Sequence, residues 1–309
     1  MAIVQFGDHG GDLSSPTVHS GDTTSITATT MEQRADDGWR FVATGDFTAS
    51  SGAYITSYSG YVPDGSLGYS ISGIHTDLSQ FQAYVSSGNM YALVTLIASG
   101  NDTVTGGAGN DIARGGAGND TFDGRGGVDT AVYESNRSVY TVTRTALDAW
   151  RVVGPAEGTD SLVGVERLKF ADKSVAFDLS GSGHAAQAVE LLGAAFGPSA
   201  LSDRVVVGIA LGLFDAGYSM HDVCSVVVGL PVFQSLAGSS GNVDFVNYVY
   251  RNLTTNLPPT VDRDLLVGLL QGSGGTMSQA DMLQAAALCE PNLTHIGLTG
   301  MQATGIEYV

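Results

Sequence analysis

Lysine is nearly missing from this chain of 309 residues: Lys169 and Lys173 are the only two. Lys and Arg together number 13 against 31 Asp and Glu, which gives a formal charge of −18. Tracking a phosphate backbone needs clustered positive charge, so nucleic-acid binding is excluded. Cysteine is as scarce. Cys224 and Cys289 are too few for a disulfide framework or a structural zinc site, and they read as buried core thiols or as one bridge. No run of about 18 apolar residues occurs, so no membrane-spanning helix is expected. The first residues lack the basic-then-apolar layout of a cleaved signal peptide. Export is therefore expected by a route that does not read the N-terminus. Signatures of catalysis are missing as well: there is no His-Glu-x-x-His, no Gly-x-Ser-x-Gly elbow and no Gly-x-x-x-x-Gly-Lys loop. An enzyme is not expected.

What the chain has is glycine, 42 residues of it, nearly twice the usual ~7%. Hydrophobic residues still make up 43%, which separates it from a solvated disordered tail. Its acid is mostly Asp, whose short carboxylate suits turns and hard cations. From Gly100 the chain repeats every nine residues. The aligned units are Gly106-Gly107-Ala108-Gly109-Asn110-Asp111-Ile112-Ala113-Arg114 and Gly115-Gly116-Ala117-Gly118-Asn119-Asp120-Thr121-Phe122-Asp123. A half unit, Gly100-Asn101-Asp102-Thr103-Val104-Thr105, precedes them. A degraded unit follows, in which Arg125 stands for a turn glycine and Val128 for Asn ahead of Asp129.

These units resemble the nonapeptide of the RTX (repeats-in-toxin) proteins. The resemblance implies six-residue calcium turns alternating with three-residue strands in a parallel β-roll. Glycines permit turns with positive φ and expose carbonyls, and each sixth-position Asp adds carboxylate oxygen, so every turn offers half of an oxygen cage for Ca2+. Successive turns fall on opposite sides. Asp102 is thus expected to share a site with Asp120, and Asp111 with Asp129, the latter in the weaker surroundings of Arg125 and Val128. The expected metal residues are these four, Gly100, Gly107, Gly109, Gly116, Gly118, Asn110 and Asn119. Only Val104, Ala113, Phe122 and Ala131 should point inward, a core too thin to offset ordering of a Gly-rich chain without metal.

The expected architecture is multidomain β plus α. Residues 1–98 alternate in short runs such as Tyr54-Ile55-Thr56-Ser57-Tyr58 and form a β-rich domain, with helical spacing at Leu78, Phe81 and Val85 and again over 90–97. Residues 99–132 are the roll. Residues 133–180 resemble the β-ladder that follows RTX repeats and are expected to cap the roll. Residues 181–309 read as an all-helical domain with an internal two-fold repeat: Asp203-Arg204 returns as Asp262-Arg263, Ser219 to Asp222 as Ser278 to Asp281, and Pro231 as Pro291. This half resembles a domain of unknown function found in S-layer and RTX surface proteins.

Several other residues allow two readings. Asp160, Asp172 and Asp178 extend the calcium ladder or serve turns. His9 with Asp8 and Asp12 binds a metal or lies in a solvated turn, and His221 reads as a surface residue. Trp39, Tyr54, Tyr58, Tyr61 and Tyr69 form a half-buried core or a sugar-binding face. Taken together, the chain is expected to be a secreted calcium-binding structural protein that self-assembles at a bacterial surface, as a surface layer, filament or matrix component. The RTX resemblance implies export by type I secretion machinery. The alternatives are a calcium-dependent adhesin for a cell-surface glycan and, below it, a secreted enzyme. The N-terminal run Ile3-Val4-Gln5-Phe6 is expected to add as a strand to a sheet edge, either of its own subunit or of the next.

Overall fold

The computed structural model describes residues 3–6, 21–48, 53–81 and 100–309. The chain divides into two compact units, Met1–Lys173 and Ser174–Val309. The pair Asp8 and His9, the residue Asp12 and the helical spacing beyond residue 81 lie outside the described residues.

In the first unit, β2 (Gly21–Ile26), β3 (Thr30–Ala35), β4 (Arg40–Asp46), β5 (Tyr54–Tyr61) and β6 (Leu67–Asp77) form an antiparallel meander. Tight turns separate them where the chain supplies Asp and Gly: Gly38 has φ +92° and Gly65 φ +87°, values open to glycine at little steric cost. Alternation buries Phe41 and Ala43 on β4 and Ile55 on β5, while on β6 Ile71 and Ile74 are both buried across a register shift that breaks the alternation.

Strand β1 (Ile3–Phe6) runs antiparallel to β6 and parallel to β7 (Thr103–Thr105). It therefore adds to a sheet of its own chain and joins the meander to the repeats. Strand β7 pairs in parallel with β9 (Thr121–Asp123), and β8 (Ile112–Ala113) with β10 (Thr130–Val132). Consecutive repeat strands thus fall alternately in two sheets, which is how a roll winds. Val104, Ala113, Phe122 and Ala131 are each 5% exposed or less, whereas their strand neighbours are half-exposed or exposed apart from the buried Val132.

After β10 a hairpin intervenes, made of β11 (Thr141–Ala146) and β12 (Ala149–Gly154). The chain then returns to the roll: β13 (Gly158–Val163) pairs in parallel with β9, and β14 (Arg167–Lys169) in parallel with β10. Leu162 lies beside Phe122 and Leu168 beside Ala131, all buried. The first sheet has the order β11-β12-β13-β9-β7-β1-β6-β5-β4-β3-β2, so β11 and β2 are its outer strands.

The second unit holds α1 (His184–Phe196), α2 (Arg204–Asp215), α3 (Met220–Gly229), α4 (Pro231–Ala237), α5 (Asn242–Thr254), α6 (Thr260–Leu269), α7 (Gln279–Ala287), α8 (Glu290–His295) and α9 (Leu298–Thr304). It is not all-helical. Strand β15 (Ser174–Ala176) pairs antiparallel with β16 (Ile306–Tyr308), so the unit begins at Ser174 rather than at residue 181. Gly305, at φ +76°, makes this return possible: a Cβ there would stand 2.4 Å from Val175 Cγ1.

The sequence repeat has a physical counterpart in this unit. Ser219 and Asp222 close a capping box on α3, and Ser278 and Asp281 close the same box on α7. Helices α3 and α7 pack on each other, and His221 Nε2 lies 3.1 Å from Asp281 Oδ1, linking the two caps. A continuous apolar core runs through Leu191, Leu211, Phe214, Phe233, Phe245 and Leu283. Cys224 is buried within it and Cys289 half-buried, both as free thiols. Burial pushes the Cys224 thiol up to about 12.

Candidate metal centre

The turns between repeat strands stack into two columns. In the first, Asp102 N–H donates to Asp120 Oδ1 at 2.8 Å. In the second, Asp111 N–H donates to Asp129 Oδ1, also at 2.8 Å. The structure thus brings Asp102 against Asp120 and Asp111 against Asp129, each pair 18 residues apart in sequence. All four are buried, at 3%, 5%, 0% and 0% exposure for Asp102, Asp120, Asp111 and Asp129. A buried carboxylate is costly unless it is paired or holds a metal. Asp120 Oδ2 and Asp129 Oδ2 are fully covered and accept no hydrogen bond.

Glycine makes room for these oxygens. A Cβ on Gly115 would stand 2.3 Å from Asp120 Oδ2, and one on Gly124 would stand 2.4 Å from Asp129 Oδ2. Each first-position glycine therefore lets its turn close around its own sixth-position carboxylate. Gly107 N–H donates to Asp111 Oδ2 at 2.7 Å. Gly100, Gly116 and Gly118 take φ values of +113°, +82° and +156°. The Gly100 carbonyl lies 1.8 Å from where a Cβ of Gly118 would be, and the Gly109 carbonyl 2.5 Å from that of Gly127. Side chains at these positions would push the turns apart.

Burial is the main force raising the carboxylates. Asp120 is pushed up to about 6 by desolvation, with the charges of Asp102 and Glu157 adding to it. Asp129 is pushed up to about 8 by desolvation, with Glu166 and Asp111 adding. Such shifts mark carboxylates held together against their charge, and a divalent cation among them removes that penalty. Among the described residues no three His, Cys, Asp or Glu side chains converge as a metal cluster. The cage that fits here is two Asp carboxylates supplemented by turn carbonyls, an all-oxygen set suited to a hard cation.

Asn110 and Asn119 stand in the turns in a different role. Asn110 Oδ1 accepts from Val128 N–H at 2.8 Å, and Asn119 Oδ1 from Thr159 N–H at 2.9 Å. Asn101 does the same for Asn119 N–H at 2.9 Å. Their side chains lock one turn onto the next turn of the same column. Asn101 was readable from the thrice-placed Gly-Asn-Asp, whereas Val128 cannot continue this lock. Arg125 sits at φ +65°, the left-handed conformation that Gly116 takes in the preceding unit and that costs an L side chain roughly 1–2 kcal/mol.

Two acids that the repeat pattern does not reach also join the columns. Asp120 N–H donates to Asp160 Oδ1 at 3.0 Å, and Asp129 N–H to Glu166 Oε2 at 2.8 Å. Glu157, 7% exposed, accepts from Glu134 N–H and from the Tyr140 hydroxyl. Asp172 and Asp178 instead cap backbone elsewhere, accepting from Arg137 N–H and Ala185 N–H. The aromatic set of the meander packs on itself: Phe41 stacks on Trp39 and on Tyr58 at 5.9 Å each, and Tyr58 lies 5.1 Å from Phe81.

Comparison with known proteins bears on the repeats. Residues 98–131 match the RTX calcium-binding nonapeptide repeat (4 copies). No curated protein matches the chain. Among solved structures, the extracellular lipase LipA from Serratia marcescens is similar over 25% of this chain and 15% of its own, at 20% identity and a TM-score of 0.16. The chain therefore spans a small part of that protein's length. What the repeats and their geometry establish is a calcium-binding segment, with Ca2+ as its cofactor.

Proposed function

We propose that the protein is a secreted structural protein whose β-roll is set by calcium and which assembles with copies of itself at or near a bacterial surface. The observation that carries the calcium part is the pair of covered, unbonded carboxylate oxygens, Asp120 Oδ2 and Asp129 Oδ2, in columns closed by glycine. Asp102 with Asp120 and Asp111 with Asp129 hold one ion each, and the carbonyls of the Gly-rich turns complete the cages. At the 10⁻⁴ to 10⁻³ M affinity of extracellular modules, these sites stay empty in a calcium-poor cytosol and fill outside. An unfolded repeat segment suits passage through a type I secretion channel.

Assembly is supported by the form of the first sheet. Among the described residues its outer strands β11 and β2 have a strand partner on one side only, and β11 is largely exposed with Arg144 as its single charge. Pairing β11 of one subunit with β2 of the next is a head-to-tail contact that propagates. The N-terminal strand β1 is interior to the sheet, so it braces the subunit and is not the connector. Light scattering in millimolar calcium should show large particles that chelator dissolves. Thr143→Lys on β11 should leave monomers with an intact calcium response. Monomers in the unsubstituted protein at every calcium level would remove the assembly reading. Identical circular dichroism with chelator and with calcium would remove the calcium reading as well.

A further inference from the structure

We propose that the helical unit binds one single-chain amphiphile, with an unbranched hydrocarbon chain in the cleft between α1, α2, α3 and α4 and a neutral, hydroxylated head beside the start of α2. Calcium and the sheet edges play no part in this binding, which goes beyond the function proposed above.

The sequence makes these helices more apolar than their packing uses. Ile209 on α2, Val226 on α3, and Val232 and Leu236 on α4 are large aliphatic side chains exposed by 51–63%. One exposed aliphatic residue is ordinary, but all four line a single cleft of about 650 Å³, and apolar side chains gathered on one concave surface mark a binding site. The volume falls in the range of small-molecule sites, about 300–1,000 Å³.

The shape of the cleft selects what can fill it. Its floor is formed by Leu191 and Leu192 of α1, Ala210 of α2, and Val223 and Val227 of α3, each 7% exposed or less. A cleft open to water at its rim and nearly closed at its floor is deep and narrow. A partner helix, about 10–12 Å across with its side chains, would rest on the rim and leave the floor empty. An extended hydrocarbon chain is thin enough to reach the floor.

The lining sets the chemistry. Ser199 and Asp203 are its only polar residues, and Asp203 Oδ1 is engaged in capping α2, accepting from Val205 N–H at 3.0 Å and Val206 N–H at 3.3 Å. A polar group seated deeper in the cleft would lose its water without gaining a partner. The occupant is therefore hydrocarbon along most of its length. At one end the surroundings change: Ser199 and Asp203 also line an adjoining cavity of about 530 Å³, together with Ser202 and Arg204. Arg204 is 44% exposed, with its NH1 4.0 Å from Glu307 Oε2. Asp203 and Glu307 disfavour an anionic head and Arg204 a cationic one. The two serine hydroxyls, the carboxylates and the guanidinium together donate and accept as the hydroxyls of a neutral head require.

Isothermal titration calorimetry of the full chain with hexyl, octyl and decyl glucoside, each below its critical micelle concentration, tests the proposal. The titrations are run in chelator, which keeps calcium-driven assembly out of the measurement. One site per chain is expected, with affinity rising about fourfold for each added methylene. Val226→Asp on the exposed rim should abolish binding while the helical circular dichroism stays unchanged. Leu236→Asp on α4 should do the same, and it decides where Val226→Asp loses the helical signal. Decanoate and decyltrimethylammonium should each bind about fivefold more weakly than decyl glucoside, and equal binding of all three overturns the head assignment. No saturable binding of any glucoside, an affinity indifferent to chain length, or full affinity in both rim variants overturns the proposal. If light scattering shows a wild-type dimer in chelator that Val226→Asp turns into a monomer, the cleft is an interface between copies and the proposal falls. Loss of the amphiphile site by any of these results leaves the calcium reading standing.

Discussion

The roll and the helical unit solve the same problem by opposite means. The helical unit buries whole side chains, with Phe214, Phe233, Phe245, Leu211 and Leu283 each at 1% exposure or less. That burial outweighs the entropy of ordering the chain without outside help. The roll buries one position per repeat strand, two of them alanines, with Val132 on β10 as a single addition, and beside that thin row it buries four aspartates. Its stability is therefore conditional on an ion. On the proposed reading, the helical unit is expected to fold without calcium and the roll only where calcium is plentiful.

The widest gap between the regions should appear on removing calcium. In chelator, backbone amides of residues 100–132 should lose their protection from hydrogen exchange, while those of α1, α2 and α5 keep theirs. Equal protection of both regions in chelator would erase the distinction. The reverse perturbation is Phe214→Ala in the helical core, which should cost about 3–5 kcal/mol. That loss should be the same with and without calcium, as read by thermal melting of the helical signal.

Glu190 offers a pH test confined to the helical unit. It is 6% exposed, and desolvation pushes its carboxyl up to about 7 from 4.5. Because the folded value lies above the unfolded one, the protonated group's contribution is whole below about pH 4.5. It is lost as the pH rises through about 7. Glu190→Gln should therefore be more stable than wild type at pH 8, by about 3 kcal/mol at most, and equal to it near pH 4. A gap that does not change with pH would show that Glu190 is not buried as a neutral acid. The smallest effect concerns the imperfect repeat. Arg125→Gly relieves a positive φ and should stabilise the calcium-loaded roll by about 1 kcal/mol, with no change in the helical melting.

Much of the calcium segment is legible in the sequence because its interactions have a fixed period. Nine residues make one turn and one strand, so pairing Asp102 with Asp120 and Asp111 with Asp129 needs only counting. The helices of the second unit are legible for a similar reason, since Ser219 with Asp222 and Ser278 with Asp281 mark their starts in local chemistry. Asp160 is harder. Its spacing to the repeats is broken by the β11–β12 hairpin, and a lone Gly-Thr-Asp reads equally well as a turn. Glu157 gives no sequence signal at all.

Local chemistry is enough to set where the chain turns, which carboxylates stack at a fixed interval, and that the acid suits a hard cation. Those properties are local, set by glycine's freedom at positive φ and by a nine-residue repeat. What closes the ends of these patterns is visible only in the folded chain. Folding placed β1 between β6 and β7, brought Asp160 onto Asp120 across 40 residues, and paired β15 with β16 from the two ends of the helical unit. Such pairings depend on which backbone edges are left open once every local element has formed, and no local pattern records that.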